Sequence, residues 1–203
     1  MKLKEFRKRM KKSVFSTAEA HLVAISDDPK LINLQLHQWK EQGELIALKR
    51  GLYLFADAPR NMAEIAKALY SPCYFSLEYA LSQQGVIPEA VFVTTLVTTK
   101  AGRRFETPVG TFIYQKIKKE AFTGFDSRTL MAEREKALTD YFYLHKAKLI
   151  PTDQFWEESR LNGSDVNFTK VKRYAKLFRS PRLVSLLTDF QRYATSHQID
   201  HHR

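Results

Sequence analysis

Two short apolar runs, Leu45-Ile46-Ala47-Leu48 and Leu52-Tyr53-Leu54-Phe55, are separated only by Lys49-Arg50-Gly51. Glycine there can take the positive φ of a tight reversal, so the runs pair as a small β-hairpin with a basic tip. Everything before it carries helical signals. Asp28-Pro29 supplies an N-cap and a proline at the first helical position, where no N–H bond is lost, and Gly43 stops that helix. Ser16-Thr17-Ala18-Glu19 has the capping-box pattern and opens a helix running to about Ser26. Leu3, Phe6 and Met10 recur at helical spacing within 2–12, giving a first, charged helix. Three helices and a hairpin within 1–57 is the order of a winged helix-turn-helix DNA-binding domain, whose third helix enters the major groove while the wing touches phosphate.

Charge agrees with that order. The chain carries 33 Lys+Arg against 22 Asp+Glu, a net +11. Residues 2–12 hold seven basic residues and one Glu for +6, and 165–203 hold eight basic and three acidic for +5. Such blocks are either solvated faces or phosphate-binding surfaces. Lys8, Lys11 and Lys12 are the phosphate candidates at the start of the chain. On the third helix Ile32, Gln35, Leu36 and Trp39 form the packed side, leaving Lys30, Asn33, Leu34, His37 and Lys40 outward. Of these, Lys30, Asn33, His37 and Lys40 are candidate DNA contacts, joined by Lys49 and Arg50 in the wing. Leu34 can meet a thymine methyl group or pack against protein. The same helices and hairpin also occur as protein-docking modules; the basic tip and first helix favour DNA.

Asp57-Ala58-Pro59-Arg60-Asn61 is a polar, proline-containing connection, and 60–203 is expected to be a second domain. Helices are expected over 62–70 and 76–84, the second capped by Ser76 and stopped by Gly85. The period then changes to strand-like over 91–99 and 112–117, with a turn at Lys100-Ala101-Gly102 and a short strand at 103–106. From about Arg128 the pattern is helical, with breaks near Pro151, Gly163 and Ser180-Pro181. The expected fold class is therefore α+β: an N-terminal winged helix-turn-helix followed by a mixed α/β domain with a helical C-terminal part. A single cysteine, Cys73, excludes an internal disulfide. No apolar run nears the ~20 residues of a membrane span, and the charged opening Met1-Lys2-Leu3-Lys4 is unlike a signal peptide. A cytoplasmic protein without a membrane partner is expected.

Several strings together resemble the AbiEi family of antitoxin-type transcriptional regulators, found in type IV toxin–antitoxin systems. They are the wing 43–53, Tyr74-Phe75-Ser76-Leu77-Glu78-Tyr79-Ala80-Leu81 followed by Gly85, Thr107-Pro108-Val109-Gly110, and Glu135-Lys136-Ala137-Leu138-Thr139-Asp140. The similarity spans roughly 14–145; Arg134 stands where the family pattern has proline, and 152–203 carries no matching string. The resemblance implies a repressor that binds double-stranded DNA of its own promoter through the winged helix. It also implies that the second domain counters a nucleotidyltransferase-type toxin from the same operon.

Read as residues alone, these strings cap helices, shape turns and fill a core. Gly163-Ser164-Asp165-Val166-Asn167 lacks the second carboxylate of a nucleotidyltransferase magnesium site. The pattern of a restriction-type nuclease, an Asp followed by a strand-borne Glu-x-Lys, is not in the sequence, and neither is a Walker loop or a His-Glu-x-x-His. The expectation is a protein that is not an enzyme, with no catalytic residue, metal or cofactor. A DNA-directed nuclease with a divergent site and a docking adaptor remain the alternatives. Tyr74-Phe75, Tyr141-Phe142-Tyr143 and Phe178 read as core more readily than as base-stacking platforms. Lys172, Lys176 and Arg179 share a helix face with Arg173 beside them, extending a DNA footprint or meeting an acidic partner. His201-His202 reads as a frayed tail. The oligomeric state is not fixed by one chain.

Overall fold

The computed structural model describes residues 1–24 and 28–200; the expected helix end near Ser26 and the His201-His202 tail lie outside them. The protein is mixed α+β with two small sheets. Its chain divides into two compact units, Met1–Ser71 with Phe105–Thr111, and Pro72–Arg104 with Phe112–Arg203.

The first unit runs α1 (Leu3–Arg9), β1 (Val14–Ser16), α2 (Thr17–Ala24), α3 (Pro29–Glu41), β2 (Leu45–Lys49), β3 (Leu52–Phe55) and α4 (Met62–Leu69). Strand β1 was not legible beforehand because three residues are too few to show a period. It lies antiparallel to β3, with Phe15 opposite Tyr53, and the sheet order is β1-β3-β2. Helix α1 stops at Arg9, so Lys11 and Lys12, expected on the first helix, lie beyond it. The capping box forms as written: Ser16 N donates to Glu19 at 2.8 Å and Glu19 N to the Ser16 hydroxyl at 3.2 Å. Asp28 caps α3 by accepting from Lys30 N at 2.9 Å. Gly51 takes φ +75 in the hairpin turn.

The apolar sides of these elements meet in one aromatic cluster. The Phe6 ring lies 5.1 Å from Trp39 and 5.3 Å from Phe15, which lies 5.0 Å from Phe55. Phe6, Phe15 and Phe55 are fully buried, so α1 is tied to the sheet by a large apolar contact. Helix α4, placed by the sequence beyond the 57–61 connection, belongs to this unit. Its Glu64 accepts from Val14 N at 3.1 Å, using a β1 donor that the sheet leaves over.

Beyond α4 the chain runs β4 (Tyr74–Phe75), α5 (Leu77–Gln83), β5 (Thr94–Thr98), β6 (Arg103–Thr107) and β7 (Gly110–Lys116), then a 3-10 turn at Lys119–Ala121; Phe105–Thr111, from β6 into β7, fall in the first unit and the rest in the second. Then come α6 (Arg134–His145), α7 (Asp153–Ser159), α8 (Phe168–Phe178) and α9 (Pro181–Asp200). The sheet order is β4-β5-β7-β6, with β5 parallel to β7 and antiparallel to β4. The expected helix from Arg128 begins only at Arg134. The Asp126 carboxylate accepts from Arg128 N, Thr129 N and the Thr129 hydroxyl at 2.7–3.0 Å, folding a turn instead. Leu130 then takes φ +60 and the chain bonds to Phe75, whose N donates to Leu130 O at 2.8 Å.

Ser76 occupies the N-cap position of α5 without capping it. Its hydroxyl donates to Asp140 at 2.8 Å, and Thr95 of β5 serves the helix end by accepting from Tyr79 N at 3.0 Å. Glu135 and Lys136 are buried together with Thr139 and Asp140. Lys136 pairs with Asp140, which also accepts from Tyr74 OH at 2.8 Å. Burial raises the Asp140 carboxyl above its usual range, against the opposing pull of Lys136, and lowers the Lys136 ammonium, against that of Asp140. Tyr74, Phe75, Phe142 and Phe178 are core residues. No helix among the described residues is long and apolar enough to cross a membrane.

Candidate nucleic-acid interface

On α3, Ile32, Leu36 and Trp39 are buried and Gln35 is half-buried, while Lys30, Asn33, Leu34, His37 and Lys40 are exposed. A packed side of four residues at helical spacing therefore presents the expected row outward. The row is not uniform. Asn33 Oδ1 lies 3.0 Å from His21 Nε2 of α2, so this side-chain oxygen is held against the preceding helix. Lys40 Nζ pairs with Glu41 at 2.9 Å, an exposed pair that holds the ammonium only weakly. Lys30 has no acidic partner among the described residues. Leu34 and Leu31 are half open to solvent, at 51% and 52%, and Leu22 of α2 is 74% exposed.

The +6 segment separates into committed and open charges. Arg7 bonds Asp57 through both carboxylate oxygens and lies 4.9 Å from the Phe55 ring. Arg9 pairs with Glu5 and Lys12 with Glu19, each at 2.6 Å. The Arg7 bond holds the Asp57 carboxyl below its usual range; Lys12, followed by the Ser16 amide, does the same for Glu19. Lys2, Lys4, Lys8 and Lys11 are exposed and have no acidic partner among the described residues. Lys12, expected to face phosphate, is exposed and pairs with Glu19 beside the capping box.

The hairpin tip divides in the same way. Lys49 Nζ donates to Leu69 O at 2.6 Å and lies 5.1 Å from the ring of Phe105, a residue of the same unit. Arg50 is exposed with no acidic partner among the described residues. Lys8, Lys11, Lys30 and Arg50 are thus the candidate contacts available as they stand, and Lys2 and Lys4 of the same +6 segment join them.

In the second unit Lys172 and Lys176 are exposed along α8. Arg173 turns toward Tyr174, 5.4 Å from its ring, and Arg179 ends the helix with φ +45. Among the described residues no group of three His, Cys, Asp or Glu side chains is placed to hold a metal ion. Neither a protein-family model nor a curated protein matches the chain.

Proposed function

We propose that the protein is a sequence-specific DNA-binding repressor whose first unit is a winged helix-turn-helix. The observation that carries this is the order α1-β1-α2-α3-β2-β3, with β1 and β2 flanking β3 and open basic residues on α1, α3 and the β2–β3 turn. In this reading α3 lies in the major groove, with Lys30 and the amide of Asn33 at base edges. Lys8, Lys11 and Arg50 neutralise phosphate on either side, positioning the helix without reading sequence. A repressor of its own promoter acts in the cytoplasm.

The strings 74–81 and 135–140 that resemble AbiEi antitoxins lie in the second unit, where they build the buried Tyr74–Ser76–Lys136–Asp140 network. The resemblance supports a role for that unit in countering a nucleotidyltransferase toxin encoded beside it. A neighbouring reading frame of that class is expected. A mobility-shift assay with the DNA upstream of the protein's own frame, with and without magnesium, tests the whole proposal: a shifted band with both strands intact is expected. Metal-dependent cutting would instead favour the nuclease alternative.

A second reading has an observation of its own. Leu22, Leu31 and Leu34 are exposed on α2 and α3, as they would be on a module that docks protein. Background-level duplex binding, unchanged by Leu31→Gln with Leu34→Gln, would select it.

A further inference from the structure

The second unit carries an apolar groove between α8 and α9, with Val171 and Ala175 on one wall and Val184 and Leu187 on the other. Its volume is about 230 Å³. Lys172 and Lys176 stand on the α8 lip one turn apart, at roughly 5–6 Å between Cβ atoms. Both are exposed, and neither has an acidic partner among the described residues. Val184 is 47% exposed, although α9 turns Leu183, Leu186 and Phe190 fully inward.

We propose that this groove is a docking site for an acidic amphipathic helix of a partner protein. Three properties select that occupant. The cavity falls short of the roughly 300–1,000 Å³ that encloses a small-molecule ligand. It is ample for the anchoring side chains of a helix laid along α8 and α9, with apolar residues at i, i+3 or i+4, and i+7. The two ammonium groups repeat at the i, i+4 spacing of one helix face, so a neighbouring helix with two Asp or Glu residues one turn apart meets both at once. A DNA backbone would satisfy the lysines but leave the apolar floor in water, whereas an acidic helix covers the floor and pairs the lip. The groove shares no residue with the proposed DNA surface of the first unit, so either proposal can fail without the other.

The test presents the full-length protein with a display library of helical 15-residue peptides, followed by fluorescence anisotropy of the most enriched one. Enrichment of apolar residues at helical spacing beside paired Asp or Glu is expected. Val184→Glu should abolish binding of that peptide, and Lys172→Glu with Lys176→Glu should weaken it by roughly tenfold, reversing two favourable pairs. Position 184 is exposed, so that variant should fold; Thr188→Glu, exposed on the same wall, serves the same purpose if it does not. Circular dichroism checks each variant. No helical consensus, a consensus without acidic residues, or equal binding by wild type and the α9 variant would overturn the proposal. It would also be overturned if the lysine substitutions left peptide binding intact and reduced duplex DNA affinity, or if the groove proved to be covered by a second copy of the chain, seen as self-association in sedimentation that Val184→Glu abolishes.

Discussion

Lys49, at the end of β2, donates its ammonium to the carbonyl of Leu69 at 2.6 Å, tying the hairpin to the last residue of α4. Its neighbour Arg50 makes no such bond to an acidic group of the described residues. Two adjacent basic residues at one turn therefore have separate duties. Lys49→Met should lower stability by about 0.5–1.5 kcal/mol, the usual net worth of a hydrogen bond, and leave the salt dependence of DNA binding almost unchanged. Arg50→Gln should leave thermal unfolding alone and make the log–log salt slope shallower by about 0.9. Denaturation curves and salt titrations on both variants check the division.

The start of the chain offers a sharper version of the same contrast. Changing Lys8, Lys11 and Lys12 to Gln would be expected from sequence to remove about three units of salt slope. With Lys12 held by Glu19, the change is expected to be about two, all of it from Lys8 and Lys11. Operator and random duplex should weaken by similar factors, because phosphate contacts carry no base information. A Lys12→Gln variant that alone shifts the slope by a full unit would show that the Glu19 pair opens on DNA.

Discrimination is expected to reside on α3. Lys30→Ala with Asn33→Ala should reduce the preference for operator over random duplex, each base-edge contact being worth about 1–3 kcal/mol. Because His21 holds one side of Asn33, His21→Ala should also disturb the preference, through the position of the amide rather than through a contact of its own. Competition titrations with both duplexes measure this. A preference unchanged in the double variant would place sequence reading elsewhere.

Much of the first unit was legible because short motifs decide it: the capping box, Asp28-Pro29, the Gly43 stop and the Gly51 turn. The exposed row on α3 followed from spacing alone. Strand β1 escaped because Val14-Phe15-Ser16 is recognisable only by its pairing with β3. The commitment of Lys12 and Lys49 was equally hidden, since their partners Glu19 and Leu69 are set by how the chain returns. In the second unit, the spacing of Glu135, Lys136 and Asp140 on a helix allows ion pairs but does not say whether they are buried. Only burial against Tyr74 and Ser76, some sixty residues away, makes them core.

That buried group gives a stability test. Removing one member of a buried ion pair strands the other charge, so Lys136→Met and Asp140→Asn should each cost about 3–5 kcal/mol. The double variant should be less damaged than the sum of the two, because no charge is left stranded. Urea denaturation of the four proteins closes the cycle, and simple additivity would mean that the pair is not what organises this core.

Acid should act on the first unit through Glu19 and Asp57. Both carboxyls sit below their usual range in the folded protein, so the unfolded chain binds more protons and their stabilisation, full at neutral pH, is lost as pH falls through about 4 and below. Glu19→Gln keeps the capping geometry and removes the charge. Its Tm should lie below that of the wild type at pH 7, by less than about 1 kcal/mol in stability terms, and the gap should narrow as pH falls below about 4. A gap that stays constant as the pH is lowered until the protein unfolds would assign the loss to packing rather than to the Lys12 pair.

The central claim, that this chain reads a DNA sequence, is tested most directly by the ratio of two affinities at one salt concentration. Fluorescence anisotropy would compare a duplex from immediately upstream of the protein's own reading frame with a shuffled duplex of equal composition, both near 0.15 M salt. The upstream duplex is expected to bind tighter by about 10³-fold or more, the range of specific recognition. Equal affinities for the two duplexes, or no binding to either, would contradict it.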